Sequence, residues 1–348
     1  MTPLPPDFAR HVVDWQRRHG RHGLPWQNTQ DPYRVWLSEI MLQQTQVSTV
    51  LDYYPRFLAR FPEVSVLAAA SQDDVLALWS GLGYYSRARH LHRCAQEVMT
   101  RFGGQFPKQA ELLQTLPGIG RSTAAAIAAF CFQEREAILD GNVKRVLSRV
   151  LGYAEDLAVL KNEKTLWSLA QELLPQDPAD MPRYTQALMD LGATVCLPKK
   201  VACEACPVQA VCQANAQAQP LAYPVKTKKL KRSSATLWLL WAVNAKGQIW
   251  LQKRPDKGIW AGLFSLPVFD TEEELLAAWS PASKVYKAHK AEYLEPWKHV
   301  LTHRDLHLHP VRMKGAEHEV PACEGEWVSA EVWPELGLPA PIRKLLSD

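Results

Sequence analysis

Four cysteines, Cys196, Cys203, Cys206 and Cys212, fall within seventeen residues, with six, two and five residues between them. Thiolates that close in sequence usually share a metal or a cluster. The chain has seven cysteines in all, and Cys94, Cys131 and Cys323 lie far apart, so the pattern is not a disulfide framework and a reducing compartment is expected. Structural zinc takes two short ligand pairs, whereas here only Cys203 and Cys206 form one. A compact loop folded around a single cubane-like core fits the spacing better. Lys199 and Lys200 add positive charge to that loop, which suits contact with phosphate.

Two carboxylates could do acid and anion chemistry. In the segment from Asp31 to Val47, Asp31 is placed to cap a helix and Pro32 to open it. Glu39 then shares a mostly apolar stripe with Val35 and Trp36 one turn before it and Leu42 and Gln43 one turn after. Desolvation on such a stripe raises a carboxyl pKa and favours the protonated form that a general acid needs near neutral pH. The tract Gln43-Gln44-Thr45-Gln46 supplies amides suited to base edges or to a wedge in a base stack. Further on, Val143, Val146, Leu147, Val150 and Leu151 fall on one helical face, which puts Asp140 at that helix's start. Free amides and the helix dipole favour its anion there.

The elements that must position these groups include a second phosphate-binding signal. Leu116-Pro117-Gly118-Ile119-Gly120-Arg121-Ser122-Thr123 precedes an alanine-rich run, Ala124 to Ala129. Gly118 and Gly120 let the backbone turn sharply between helices and leave the next helix's first amides free for a phosphate. Ser122 or Thr123 is expected to cap that helix, Arg121 to add charge, and the small residues to permit close packing. The segment reads as a helix-hairpin-helix. Upstream, Gly83-Tyr84-Tyr85-Ser86-Arg87-Ala88-Arg89 interleaves arginines for phosphates with tyrosines that can stack on or wedge between bases.

The length and 47% hydrophobic residues are enough for two cores. The stretch Lys226 to Arg232, five cations in seven residues, is too polar for either and reads as a linker. Helical periodicity precedes it; strand-like alternation follows, as in Trp238 to Val243 and Gln248 to Leu251. The net charge of +4 argues only weakly for nucleic acid by itself, and the clustered cations argue more. No signal peptide or membrane span is read, so a soluble, cytoplasmic chain is expected, with a monomer as the default and protein partners open.

Together these segments resemble the MutY family of adenine DNA glycosylases, within the helix-hairpin-helix glycosylase superfamily. The resemblance rests on Ser38 to Val47, Gly81 to Arg89, the Leu-Pro-Gly-Ile-Gly-Arg-Ser-Thr hairpin, Leu139 to Val146 and the four-cysteine loop, and covers nearly the whole chain. It implies a multidomain fold: an all-α glycosylase domain over 1–225 with the helix-hairpin-helix at 112–130 and the cluster loop at 196–212, a basic linker at 226–233, and an α/β Nudix-like domain over 234–348. It also implies a [4Fe-4S] cluster on the four cysteines and removal of adenine mispaired with 8-oxoguanine or guanine in duplex DNA. Glu39 would protonate the flipped base, Asp140 would stabilise the oxocarbenium-like sugar, and Asn142 would help orient sugar and water. DNA contacts would come from Gln43, Gln44, Tyr84, Arg87, Gly118, Gly120, Ser122 and Lys144. In the related endonuclease III branch a lysine follows Pro-Gly-x-Gly-x and attacks the sugar; here that position is Ser122, which cannot form a Schiff base, so little or no strand cleavage is expected.

The segment Gly258 to Pro267 resembles a Nudix-like module, but Val268 stands where a true Nudix hydrolase has its first glutamate and no Arg-Glu-x-x-Glu-Glu cluster follows. Nucleotide hydrolysis is therefore not expected, and Glu272 to Glu274 read as the start of a surface helix. The family reads 8-oxoguanine through a Phe-Ser-His loop, where this chain has Leu301, Thr302 and His303. Thr302 keeps a hydroxyl, while Leu301 cannot stack. Two other readings stay open at this stage: a bifunctional glycosylase and lyase for damaged pyrimidines, and a noncatalytic DNA-binding or redox-sensing cluster protein.

Overall fold

A computed structural model describes residues 4–228, 231–279, 291–315 and 320–347. The chain divides into two compact units, Met1–Ala69 with His90–Lys229, and Ala70–Arg89 with Leu230–Asp348.

The first unit is helical. In chain order its elements are α1 (Phe8–His19), α2 (Pro32–Leu42), α3 (Val47–Arg60) and α4 (Val64–Ala69). Helix α5 (Gln72–Trp79) belongs to the other unit, and α6 (Ser86–Phe102) crosses the boundary at residue 89. Then follow α7 (Ala110–Leu113), α8 (Arg121–Phe132), α9 (Gly141–Val150), α10 (Leu160–Glu172), α11 (Met181–Thr194) and α12 (Gln213–Ala216). The alanines of α8 are completely buried, and this small-residue helix lets α2 and α11 pack directly on it. As the periodicity predicts, Val143, Val146, Leu147, Val150 and Leu151 all enter the core, together with Leu166 and Trp167 of α10 and Tyr184, Leu188 and Leu191 of α11.

The second unit is built on an eight-stranded mixed sheet among the described residues, with the central order β3-β2-β1-β7-β5. Its strands are β1 (Ser233–Val243), β2 (Ile249–Lys253), β3 (Phe264–Ser265), β4 (Val268–Phe269), β5 (Ala291–Tyr293), β6 (Trp297–Val300), β7 (Arg304–Lys314) and β8 (Glu326–Val328). The long strands β1 and β7 run parallel, in register from Ser233 opposite Arg304 to Val243 opposite Lys314. Helix α13 (Glu272–Trp279) opens with three glutamates and lays Leu275 and Trp279 on Leu240, Trp250, Val311 and Met313 of the sheet. Helix α14 (Ala340–Ser347) ends the described chain.

Residues 70–89, expected in the helical domain, pack with the sheet unit. Ser80 Oγ and Tyr85 Oη donate to Leu338 O at 2.7 and 3.2 Å, Arg89 Nη1 donates to Ala261 O at 2.7 Å, and Lys253 pairs with Asp73 at 2.7 Å. Among the described residues no helix is long and apolar enough to cross a membrane.

Candidate active site

Helix α2 starts where the sequence places it. Asp31 accepts the Tyr33 N–H at 2.9 Å and Pro32 takes the first turn, where its missing N–H costs nothing. Val35, Trp36, Leu37, Ile40 and Met41 are buried, which fixes the rotation of α2 and carries Glu39 into the wall of a cavity of about 660 Å3. Phe130 of α8, Met189 of α11, Trp26, Leu42 and Val47 supply apolar wall; Arg21, Asn28 and Gln186 supply polar groups. This volume falls in the range of roughly 300–1,000 Å3 common to small-molecule sites. Burial, with the negative charge of Asp140 adding to it, pushes the Glu39 carboxyl up to about 8. A carboxylic acid thus faces the cavity near neutral pH, ready to donate a proton.

The polar side of the cavity was not legible in the sequence. Asp190 is fully enclosed and accepts from Arg21 Nε at 2.7 Å, from the Arg21 N–H at 3.0 Å and from Gln186 Nε2 at 2.8 Å. One buried carboxylate therefore orients two wall residues drawn from segments more than 160 positions apart.

Asp140 caps α9, its Oδ1 accepting the Val143 N–H at 2.8 Å, at the helix end whose dipole favours negative charge. It does not itself form part of the cavity wall, although its charge reaches Glu39. The residue before it is fixed by Ser122, whose Oγ accepts the Leu139 N–H at 3.0 Å. Asn142 Oδ1 accepts from Arg145 Nη2 at 2.9 Å, and the same Nη2 donates to Gly192 O at 2.7 Å. A Cβ on Gly192 would lie 2.8 Å from that of Asn142, so glycine is what permits α11 to approach α9 here.

The hairpin brings Gly118 and Gly120 to the surface while Ile119 is buried between them. Gly118 has φ of +77° and a Cβ there would meet His90 Cβ at 2.8 Å, so both conformation and space require glycine. Gly120 is the N-cap of α8, with no side chain closing its free amides. That corrects the expected cap from Ser122 or Thr123: Ser122 is turned to Leu139, and Thr123 Oγ1 accepts from Gln43 Nε2 at 3.3 Å. Arg121 lies over the Trp167 ring at 4.1 Å. Lys144, expected at a phosphate, pairs with Glu163 at 2.6 Å. Gln44, beyond the end of α2, is exposed in a left-handed conformation, φ 56°.

The four cysteines border one small, apolar cavity. Arg149 Nη1 donates to Cys196 Sγ at 3.2 Å and to Leu197 O at 2.8 Å, while Arg145 Nε donates to Cys196 O at 2.8 Å. Two buried guanidiniums thus hold the loop and set positive charge beside its first sulfur. Burial pushes the Cys206 thiol up to about 12 and raises those of Cys203 and Cys212. Convergence on one cavity and the guanidinium partner fit a thiolate-bound cluster. Among the described residues, no group of three or more His, Cys, Asp or Glu side chains is gathered closely enough to hold a metal ion.

In the sheet unit, Tyr84 and Thr302, 218 residues apart, meet hydroxyl to hydroxyl at 2.7 Å. Tyr84 is exposed, in a left-handed conformation with φ of 50°. Arg87, expected at phosphate, is buried instead: it donates to Gly83 O at 3.2 Å and lies 5.3 and 5.4 Å from the Trp79 and Tyr84 rings. Burial lowers its pKa to about 10. There it braces the turn at Gly83 and Tyr84. Leu301 is half-buried, and Thr302 and His303 are exposed, in the loop between β6 and β7. In the linker, Lys229 and Leu230 lie outside the described residues, the Thr227 hydroxyl donates to the Asp156 carboxylate and Arg232 pairs with Asp305.

The helical unit thus carries a hairpin with free helix amides, an acid facing a cavity and a carboxylate at a neighbouring helix start. Residues 37–172 match the family model of the HhH-GPD superfamily base excision DNA repair protein, and 238–348 match that of the NUDIX domain. An adenine DNA glycosylase of Buchnera aphidicola is 35% identical over 98% of this chain and 97% of its own length. The mouse adenine DNA glycosylase is 45% identical over 61% of this chain and 42% of its length. The solved structure of a thermostable thymine-DNA glycosylase, 26% identical, covers 60% of this chain and 95% of its own with a TM-score of 0.53. The chain belongs to the adenine DNA glycosylase family, and so is a hydrolase that acts on adenine in DNA.

Proposed function

We propose that the chain removes adenine paired with 8-oxoguanine or guanine in duplex DNA by hydrolysing its N-glycosidic bond, without cutting the strand. The observation that carries this reading is Glu39 in the wall of a cavity of about 660 Å3, where burial and the Asp140 charge push its carboxyl up to about 8. Adenine leaves poorly until a ring nitrogen is protonated, so Glu39 donates that proton and then, as the carboxylate, helps position water. Departure of the base builds positive charge on the sugar, which the Asp140 carboxylate stabilises from the start of α9. Asn142, oriented by Arg145, aligns sugar and water. Gln43, Gln44 and Tyr84 support the opened duplex, the bare amides after Gly118 and Gly120 hold a phosphate, and Leu301, Thr302 and His303 face the 8-oxoguanine.

Monofunctional action is supported by the amines that are missing or engaged. Ser122 stands at the nucleophile position and is bonded to the backbone, and the Lys144 ammonium is paired with Glu163. Cys196, Cys203, Cys206 and Cys212 would hold a [4Fe-4S] cluster that folds the loop 196–212 and presents Lys199 and Lys200 to DNA; we assign it no step in base removal. The test is a single-turnover reaction on a duplex holding adenine opposite 8-oxoguanine, labelled on the adenine strand and divided into alkali-treated and untreated halves. Breaks in the alkali-treated half alone are expected. Breaks in both would refute the monofunctional reading, and breaks in neither would refute adenine excision.

A further inference from the structure

Loop 301–303 joins β6 to β7 and is closed by the Leu301 N–H donating to Arg304 O at 2.8 Å. All three of its carbonyls are engaged by two consecutive residues some 70 positions upstream. Arg232 Nη2 donates to Leu301 O at 2.8 Å and Nη1 to Thr302 O at 2.9 Å, while the Ser233 N–H donates to His303 O at 3.0 Å. The guanidinium is held in turn by the Asp305 carboxylate, which has Lys298 as a second cation at 3.9 Å. Arg304 Nε closes the arrangement on Ser233 Oγ at 3.1 Å.

Arg232 ends the run of cations that the sequence offers to phosphate, yet its donors are directed inward. With the loop's carbonyls held in this way, Thr302 and His303 are its exposed side chains. Thr302 is further constrained by the Tyr84 hydroxyl. We propose that Arg232 is a positioning residue for lesion discrimination: by fixing the carbonyls of Leu301 and Thr302 it sets the direction in which Thr302 and His303 meet the base opposite adenine. This rests on the reading of loop 301–303 as the 8-oxoguanine reader. A planar guanidinium can serve two carbonyls and a carboxylate at once, which a lysine ammonium on a flexible stem does poorly. Leu301 cannot stack on a base as an aromatic ring would, so more of the discrimination falls on the direction of the two polar side chains.

The experiment uses the full chain and two duplexes that differ only in the base opposite adenine, 8-oxoguanine or guanine. Single-turnover rates at subsaturating enzyme give a preference ratio for the parent and for Arg232→Gln, Arg232→Lys, Thr302→Val and His303→Ala, with a thermal midpoint for each. For Arg232→Gln the ratio should fall about tenfold, the factor expected when charge-assisted hydrogen bonds are lost. The fall should come from the 8-oxoguanine duplex, with the guanine duplex within about twofold of the parent and the midpoint only modestly lowered because Arg232 is exposed; Arg232→Lys should recover part of the ratio. An unchanged ratio, or an equal fall on both duplexes, overturns the proposal. If Thr302→Val or His303→Ala lowers the ratio while Arg232→Gln does not, the positioning role alone fails. If neither loop variant moves it, the reading of the loop fails, whatever Arg232→Gln does.

Discussion

Glu39→Gln exchanges a carboxyl for an amide of the same shape in the cavity wall, and it separates the cost of the acid from its use. In the folded protein Glu39 titrates at about 8, because burial and the charge of Asp140 both oppose ionisation. In the unfolded chain it titrates at about 4.3. Between those two values the folded state binds more protons than the unfolded state, so Glu39 makes stability fall as pH rises through that window. The linkage amounts to roughly 0.5 kcal/mol at pH 4.5 and about 4 kcal/mol at pH 7.5. Glutamine carries no such penalty. With relaxation of the half-open cavity, the variant should be more stable than the parent by about 2 kcal/mol at pH 7.5 and nearly equal at pH 4.5. Excision should meanwhile fall by a factor on the order of 10²–10⁴, the usual contribution of a general acid. Urea unfolding followed by far-ultraviolet circular dichroism at the two pH values measures the difference. A variant no more stable than the parent at pH 7.5, or a gap that does not grow with pH, would refute the account of Glu39 as a strained, protonated acid.

Three further outcomes follow from the same geometry. Asp140→Asn should keep duplex binding within a few-fold and lose excision by about a hundredfold or more, read by single-turnover kinetics and by binding to a duplex with a non-cleavable adenine analogue. Gly192→Ala places a Cβ 2.8 Å from that of Asn142; it should destabilise the helical unit by about 1–3 kcal/mol, read by urea unfolding, and slow excision by misplacing Asn142. Arg149→Met strips the donors from Cys196 Sγ, Leu197 O, Pro198 O and Tyr223 O. It should cost at least about 3 kcal/mol and lower the iron bound per chain, measured by metal analysis of the purified protein.

What the sequence disclosed was local. Asp31 and Pro32 opening a helix, Glu39 on that helix, Asp140 at the start of an amphipathic run and two glycines at a turn are each signalled by residues close by in sequence. What it concealed depends on partners far along the chain. Arg87 among tyrosines reads as a DNA contact, but its guanidinium is drawn inward to the Leu82 and Gly83 carbonyls of the left-handed turn. Lys144 finds Glu163 nineteen positions on, and Arg232 finds a loop near residue 302. The pairing of Arg21 with Asp190 that arms the cavity has no local signature at all. Residues 70–89 sit with the sheet because Ser80, Tyr85 and Arg89 bond to Leu338 and Ala261, a choice that helical periodicity cannot express.

The most direct test of the central claim is the pH dependence of adenine release from a duplex with adenine opposite 8-oxoguanine, under single-turnover conditions from pH 5.5 to pH 9.5. With Glu39 as the acid and a pKa of about 8, the rate should be level to about pH 7.5 and then fall tenfold per pH unit above about 8. A rate already falling tenfold per unit between pH 5.5 and 7, as an ordinary carboxyl near 4.3 would give, contradicts it.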